Sequence, residues 1–216
     1  MKQKLSVKEI IKRERRCLAL GQEVMCDWDF SHDNGQNPGA SGLARNYVEH
    51  FEELRRDGIG LFLYGSPGAG KSFLAAEIVN ALTDKGYRCL FTGMGPVIIE
   101  LQTLGFENRR NYLYRLCDRD LLVLDDLGSE METPYCNQIL TQIIHLCRSK
   151  SVPIIVTTPY HQDVLTKESN NPKRLLSVNR LLQRSVSYTV LMPGEQRSRA
   201  LRKKQKSEAL VKGALF

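Results

Sequence analysis

Gly65-Ser66-Pro67-Gly68-Ala69-Gly70-Lys71-Ser72 fits the spacing G-x-x-x-x-G-K-[ST] at every position. An apolar run, residues 59–64, precedes it and reads as a buried strand. Leu74, Ile78 and Leu82 follow at intervals of four, with Gly86 past the end, so a helix opens at the loop. Strand, glycine loop and helix together define a phosphate-binding turn. The glycines let the backbone wrap closely and aim N–H groups at one point, and the helix adds the positive end of its dipole. Lys71 reads as the β- and γ-phosphate ligand and the Ser72 hydroxyl as a ligand of Mg²⁺. The nucleotide-contact set runs from Gly65 through Ser66, Pro67, Gly68, Ala69, Gly70, Lys71 and Ser72 to Phe73.

The second chemical signature is Leu121-Leu122-Val123-Leu124-Asp125-Asp126, an apolar strand ending in two carboxylates. In phosphate-loop proteins a carboxylate at that strand tip meets the metal held by the loop hydroxyl. Asp125 takes that role. Asp126, pointing elsewhere, orients or deprotonates the attacking water. Residues 152–157 form the next buried strand, and the polar tip Thr157-Thr158-Pro159 either touches the γ-phosphate or simply caps the strand.

Around these motifs the chain alternates strands with helices. Strands are expected at 88–92 and 186–192, and helices at 97–104 and 108–117, interrupted near Gly105. A long helix opens at Pro134 and another covers 175–184. That pattern predicts an α/β fold with a parallel sheet sandwiched by helices. Ser41 reads as the N-cap of a helix closed by Gly58. Residues 1–20 read as a short basic helix whose few apolar points include Ile10, Ile11 and Leu18. Trp28 and Phe30, just ahead of the core, either flank a base or plug the core's edge.

Composition bounds the rest. The chain has 216 residues, 42% hydrophobic and 25% charged, which is ordinary for one soluble domain with short extensions. No apolar run approaches the ~20 residues that cross a bilayer, and the N-terminus lacks the apolar core of a secretory signal. The six cysteines are scattered without a C-x-x-C, so the expected compartment is the cytoplasm. Cys89, Cys117 and Cys147 read as small buried apolar residues. Cys17, Cys26 and His32 match no usual metal spacing. The net charge of +7 is concentrated at both ends, in the series Lys2 to Arg16 and Arg197 to Lys212, which suits either a polyanion such as nucleic acid or two solvated tails.

Taken together, these residues resemble the AAA+ ATPases of the DnaC and DnaI helicase-loader type and the related IstB transposition ATPases. The resemblance is carried by Ala44-Arg45-Asn46-Tyr47-Val48 with Phe51, by the strand and loop ending Gly70-Lys71-Ser72-Phe73-Leu74-Ala75, by Asp120 through Gly128, by Ile154-Ile155-Val156-Thr157-Thr158 and by Gly194-Glu195. It implies a P-loop NTPase domain over residues 26–199, flanked by a basic arm at 1–25 and a basic tail at 200–216, with a reduced C-terminal lid. It implies ATP and Mg²⁺ as cofactors and, as partners, a hexameric replicative helicase, single-stranded DNA and further copies of the chain. Arg180 is similar to the arginine that reaches a neighbour's ATP, with Arg184 as the second candidate. Arg197 or Arg199 is similar to the one that senses nucleotide in its own subunit. Arg109 and Arg110 precede the paired aspartates where this clade holds DNA. The chain has Pro159 where the family has an asparagine, which leaves Thr158 as its polar substitute and implies slow hydrolysis. A transposase helper and a DNA-binding module with structural ATP are the competing functions. The absence of an Asn-Lys-x-Asp motif disfavours a GTPase.

Overall fold

A computed structural model describes residues 6–33, 35, 37–130, 133–167 and 172–191. Five parallel strands form one sheet in the order β2-β3-β4-β1-β5: β1 (Gly60–Tyr64), β2 (Cys89–Gly93), β3 (Leu121–Asp125), β4 (Ile154–Thr158) and β5 (Ser185–Thr189). The phosphate-loop strand β1 is therefore not beside β2 in space. It pairs with β4 and β5, and the β3 tip carrying Asp125 is one strand away, across β4.

Alternation along the strands divides the core into two layers. Leu61, Leu63, Leu121, Val123 and Ile155 face one side. There they meet α2 (Pro38–Glu49), α3 (Phe51–Asp57) and α4 (Lys71–Asp84) through Tyr47, Phe51, Leu74 and Ile78. Phe62, Leu122, Leu124 and Val156 face the other. That side is covered by α5 (Met94–Thr103), α6 (Phe106–Leu116), α7 (Pro134–Ser149) and α9 (Pro172–Leu182), with α8 (Gln162–Lys167) near by. A sheet buried on both faces needs strands apolar throughout, which is why 121–124 reads as an unbroken apolar run.

Three local expectations change. The helix expected from Ser41 starts earlier, at Pro38, because Asn37 accepts from the Ala40 N–H and proline suits the first turn. It also breaks at His50 into α2 and α3. The basic arm folds as α1 (Val7–Leu20), opened by a Ser6/Glu9 capping box and closed by Gly21 in a left-handed conformation. Ile10, Ile11 and Leu18 are exposed on it, while Arg16, Ala19 and Leu20 are buried. Ala19, Leu20, Met25 and Cys26 belong to the core layer of α4. A boundary at 25/26 would thus cut through the 3-10 turn Glu23–Asp27 and through the core itself. Cys17 and Cys26, far from forming a metal site with His32, are paired as a disulfide, and His32 instead meets Asp29. No described helix is long and apolar enough to cross a membrane.

A candidate nucleotide site at the tips of β1, β3 and β4

The loop after β1 is shaped by its glycines. Gly65 has φ +149°, and a Cβ there would lie 2.2 Å from the Val190 carbonyl oxygen, so only glycine lets the loop leave the sheet against the end of β5. Gly70 caps α4 in the left-handed region (φ +93°), and no side chain caps the helix. The first-turn N–H groups are left to the space enclosed by the loop, an arrangement that suits an anion.

Lys71 is 7% exposed, and its ammonium donates to the carbonyls of Gly65 (2.8 Å) and Ser66 (3.0 Å). Burial lowers its pKa, while the charges of Asp126 and Asp125 pull it back up. The lysine and both carboxylates therefore feel one another across the same space. Asp125 ends β3 half-buried. Asp126 is exposed and holds the left-handed φ of +55°. Both carboxylates line a cavity of about 510 Å³, whose walls include Gly93 to Pro96 and, from the arm, Leu20, Gly21 and Gln22. Ser72 offers a hydroxyl and Asp125 a carboxylate, hard oxygen donors of the kind Mg²⁺ selects.

Thr158 does not join this group. It is fully buried, and its hydroxyl donates to the Leu127 carbonyl at 2.6 Å. The neighbouring Thr157 is the polar residue at the site: its Oγ1 donates to Asp125 Oδ1 at 2.5 Å and accepts from the Asp126 N–H at 2.8 Å. The pleat explains the exchange. Leu124 pairs with Val156, so Asp125 is level with Thr157 on the α4 side, and Thr158 turns to the α7 side.

The remaining sequence candidates are dispersed. Arg180 lies on α9, over the sheet face opposite α4, where it lines a groove of about 850 Å³ with Phe106, Arg109, Arg110, Tyr114, Tyr135 and His145. Arg184 donates to the Arg148 carbonyl. Arg197, Arg199 and the tail lie outside the described residues. Trp28 packs against the core with its ring centroid 5.6 Å from that of Phe73.

Sequence reading also missed a polar stripe on α4. Glu77, Asn80 and Asp84 follow one another at helical spacing. Asn80 donates to the carbonyls of Met25 and Trp28, and Asp84 pairs with Lys12 and Arg16. Glu77 is 1% exposed, and its Oε1 has no hydrogen-bond partner among the described residues. Burial and the charge of Asp33 push its carboxyl up to about 7, with Arg45 opposing and Asp29 adding. Between the ordinary 4.5 and about 7 the folded chain keeps a proton that the unfolded chain has lost, so stability declines as pH rises through that window. Relative to wild type, Glu77→Gln is expected to gain about 2–3 kcal/mol in urea unfolding between pH 5 and pH 8.

A family model described as IstB-like ATP binding protein matches residues 22–209, most of the chain. The chain belongs to the IstB-like ATP-binding family. The replicative helicase loader DnaC of Escherichia coli strain K12 is 32% identical to this IstB-like chain over 133 residues, 59% of the chain and 52% of the loader. The loader DnaI of Bacillus subtilis strain 168 is 26% identical over 160 residues, 70% of the chain and 51% of the loader. The chain thus spans about half the length of the curated relatives it matches. Among solved structures, the DnaC helicase loader superposes with a TM-score of 0.64 at 26% identity, covering 73% of this chain and 92% of that one. The strand order and phosphate loop are those of an ATP-binding AAA+ P-loop domain, as the motifs lead one to expect.

Proposed function

We propose that the chain binds ATP with Mg²⁺, hydrolyses it, and uses the cycle to deliver a replicative helicase to single-stranded DNA. The observation that carries the ATPase reading is Lys71, buried and held by two loop carbonyls within reach of the charges of Asp125 and Asp126. In this reading the loop amides and Lys71 bind the phosphates, and Ser72 and Asp125 hold the metal, which neutralises charge on the phosphate oxygens when bound. Asp126 orients the attacking water, and Arg180 reaches the ATP of an adjacent copy. The likeness to DnaC and DnaI supports a helicase as the partner.

The α6–α7 groove supports the DNA part. Basic Arg109 and Arg110 are interleaved with aromatic rings, Arg110 lies 5.4 Å from the Tyr114 ring, and Phe106 is largely exposed. Rings for stacking and cations for phosphates are what a single strand needs. The family match favours one second reading, a transposase helper acting on duplex DNA.

The test is ATP hydrolysis with and without single-stranded DNA, together with ATP-dependent co-purification of a hexameric helicase. Stimulation and retention, both lost in Lys71→Ala, are expected. Binding only to duplex DNA and a transposase selects the second reading, and failure to bind ATP overturns both.

A further inference from the structure

The two strand tips at the candidate site are stitched together by a small number of bonds, and nearly all pass through one residue. Thr157 is 1% exposed, so its hydroxyl has no access to bulk water. Its proton goes to Asp125 Oδ1, and its oxygen accepts the Asp126 N–H. Its carbonyl accepts the Leu127 N–H at 2.8 Å. Asp126 between them has a φ of +55°, a conformation that side-chain-bearing residues avoid and that the bond to its N–H helps hold.

We infer that Thr157 is a positioning residue for both carboxylates: one hydroxyl fixes the rotamer of Asp125 and the backbone reversal that aims Asp126. The inference rests on the Mg·ATP reading above and goes beyond it in assigning a role to a residue that does not touch phosphate. The hydroxyl's proton is already committed to Asp125, so Thr157 acts through the aspartates. A residue that contacted the γ-phosphate would change nucleotide affinity with or without metal. One that positions Asp125 changes only the part that depends on metal, since partners of metal ligands typically set metal affinity by about 10- to 100-fold.

The experiment titrates a fluorescent ATP analogue into the full-length protein, once in EDTA and once across a Mg²⁺ series. Thr157→Val keeps the shape of the side chain and removes both hydroxyl bonds. It is expected to raise the Mg²⁺ concentration for half-maximal enhancement of binding by about 10-fold or more while leaving affinity in EDTA unchanged. Thr157→Ser, which keeps the hydroxyl, recovers most of the loss. Circular dichroism checks that each variant is folded. If the valine variant does not fold, Thr157→Ala is read in its place. Wild-type Mg²⁺ dependence in the folded valine or alanine variant overturns the inference and leaves the ATP reading intact, as does an equal loss with and without metal. Wild-type protein that binds no nucleotide overturns both.

Discussion

Replacing Lys71 with alanine is expected to bring ATP turnover down to background and to weaken Mg·ATP binding by about 10- to 100-fold, while the urea midpoint moves little. The affinity figure is that of one hydrogen-bonded charge, about 1.5–3 kcal/mol. The separation between function and stability follows from what the ammonium touches. Its partners are the carbonyls of Gly65 and Ser66, and the loop residues 66–68 are themselves exposed or half-exposed, so water can replace the lost donor. Binding suffers because the variant leaves Asp125 and Asp126 without the cation that offsets them. Phosphates then approach two carboxylates with no compensating charge. Isothermal titration and a coupled hydrolysis assay measure the first effect, urea unfolding the second. Unchanged affinity in a folded Lys71→Ala protein would remove the cradle from the account of the site.

Arg16→Ala is expected to be the largest stability change among these substitutions, about 3 kcal/mol in urea unfolding. Arg16 lies within the basic arm, yet its side chain is only 8% exposed. Its guanidinium makes a two-point contact with Asp84, Nε to Oδ1 at 3.0 Å and Nη2 to Oδ2 at 2.6 Å. A third arm reaches Asp29 and the Cys26 carbonyl, each at 2.8 Å. Truncation removes the fork from two carboxylates that are mostly out of water, leaving Asp84 with Lys12 alone and Asp29 with Ser31 and His32, and each lost bond to a charged group costs about 1.5–3 kcal/mol. Burial alone would raise the Asp29 pKa, but donors from Ser31, Arg16 and His32 outweigh it and hold the carboxyl well below its usual range. Its contribution is therefore complete at neutral pH and is lost only as pH falls below the ordinary carboxylate value. Arg16→Lys should recover part of the loss, because an ammonium cannot reproduce the fork. A loss below about 1 kcal/mol for Arg16→Ala would mean that the arm is not held by this cluster.

The features that could be read from the sequence are those written locally. The spacing of Gly65, Gly70, Lys71 and Ser72, the unbroken run at 121–124 and the interruption at Gly105 each correspond to a feature of the fold, because glycine conformation and apolar periodicity act over a few residues. The cap at Asn37 is just as local a signal, an Asn-Pro pair, although the polar Ser41 just ahead of Leu43 competes with it. The errors of another kind depend on distant pairings. Thr157 and Thr158 cannot be told apart until β4 is set in register with β3, more than thirty residues earlier, since the register fixes which of two neighbours shares the face of Asp125. Arg16 looks like one more surface cation until Asp84, on another helix, is beside it.

The contact of Trp28 with Phe73 has a practical corollary. The protein contains a single tryptophan, and its indole touches the residue that directly follows Ser72. Its tryptophan emission therefore originates beside the phosphate-binding turn, so the chain carries an intrinsic optical gauge of that turn.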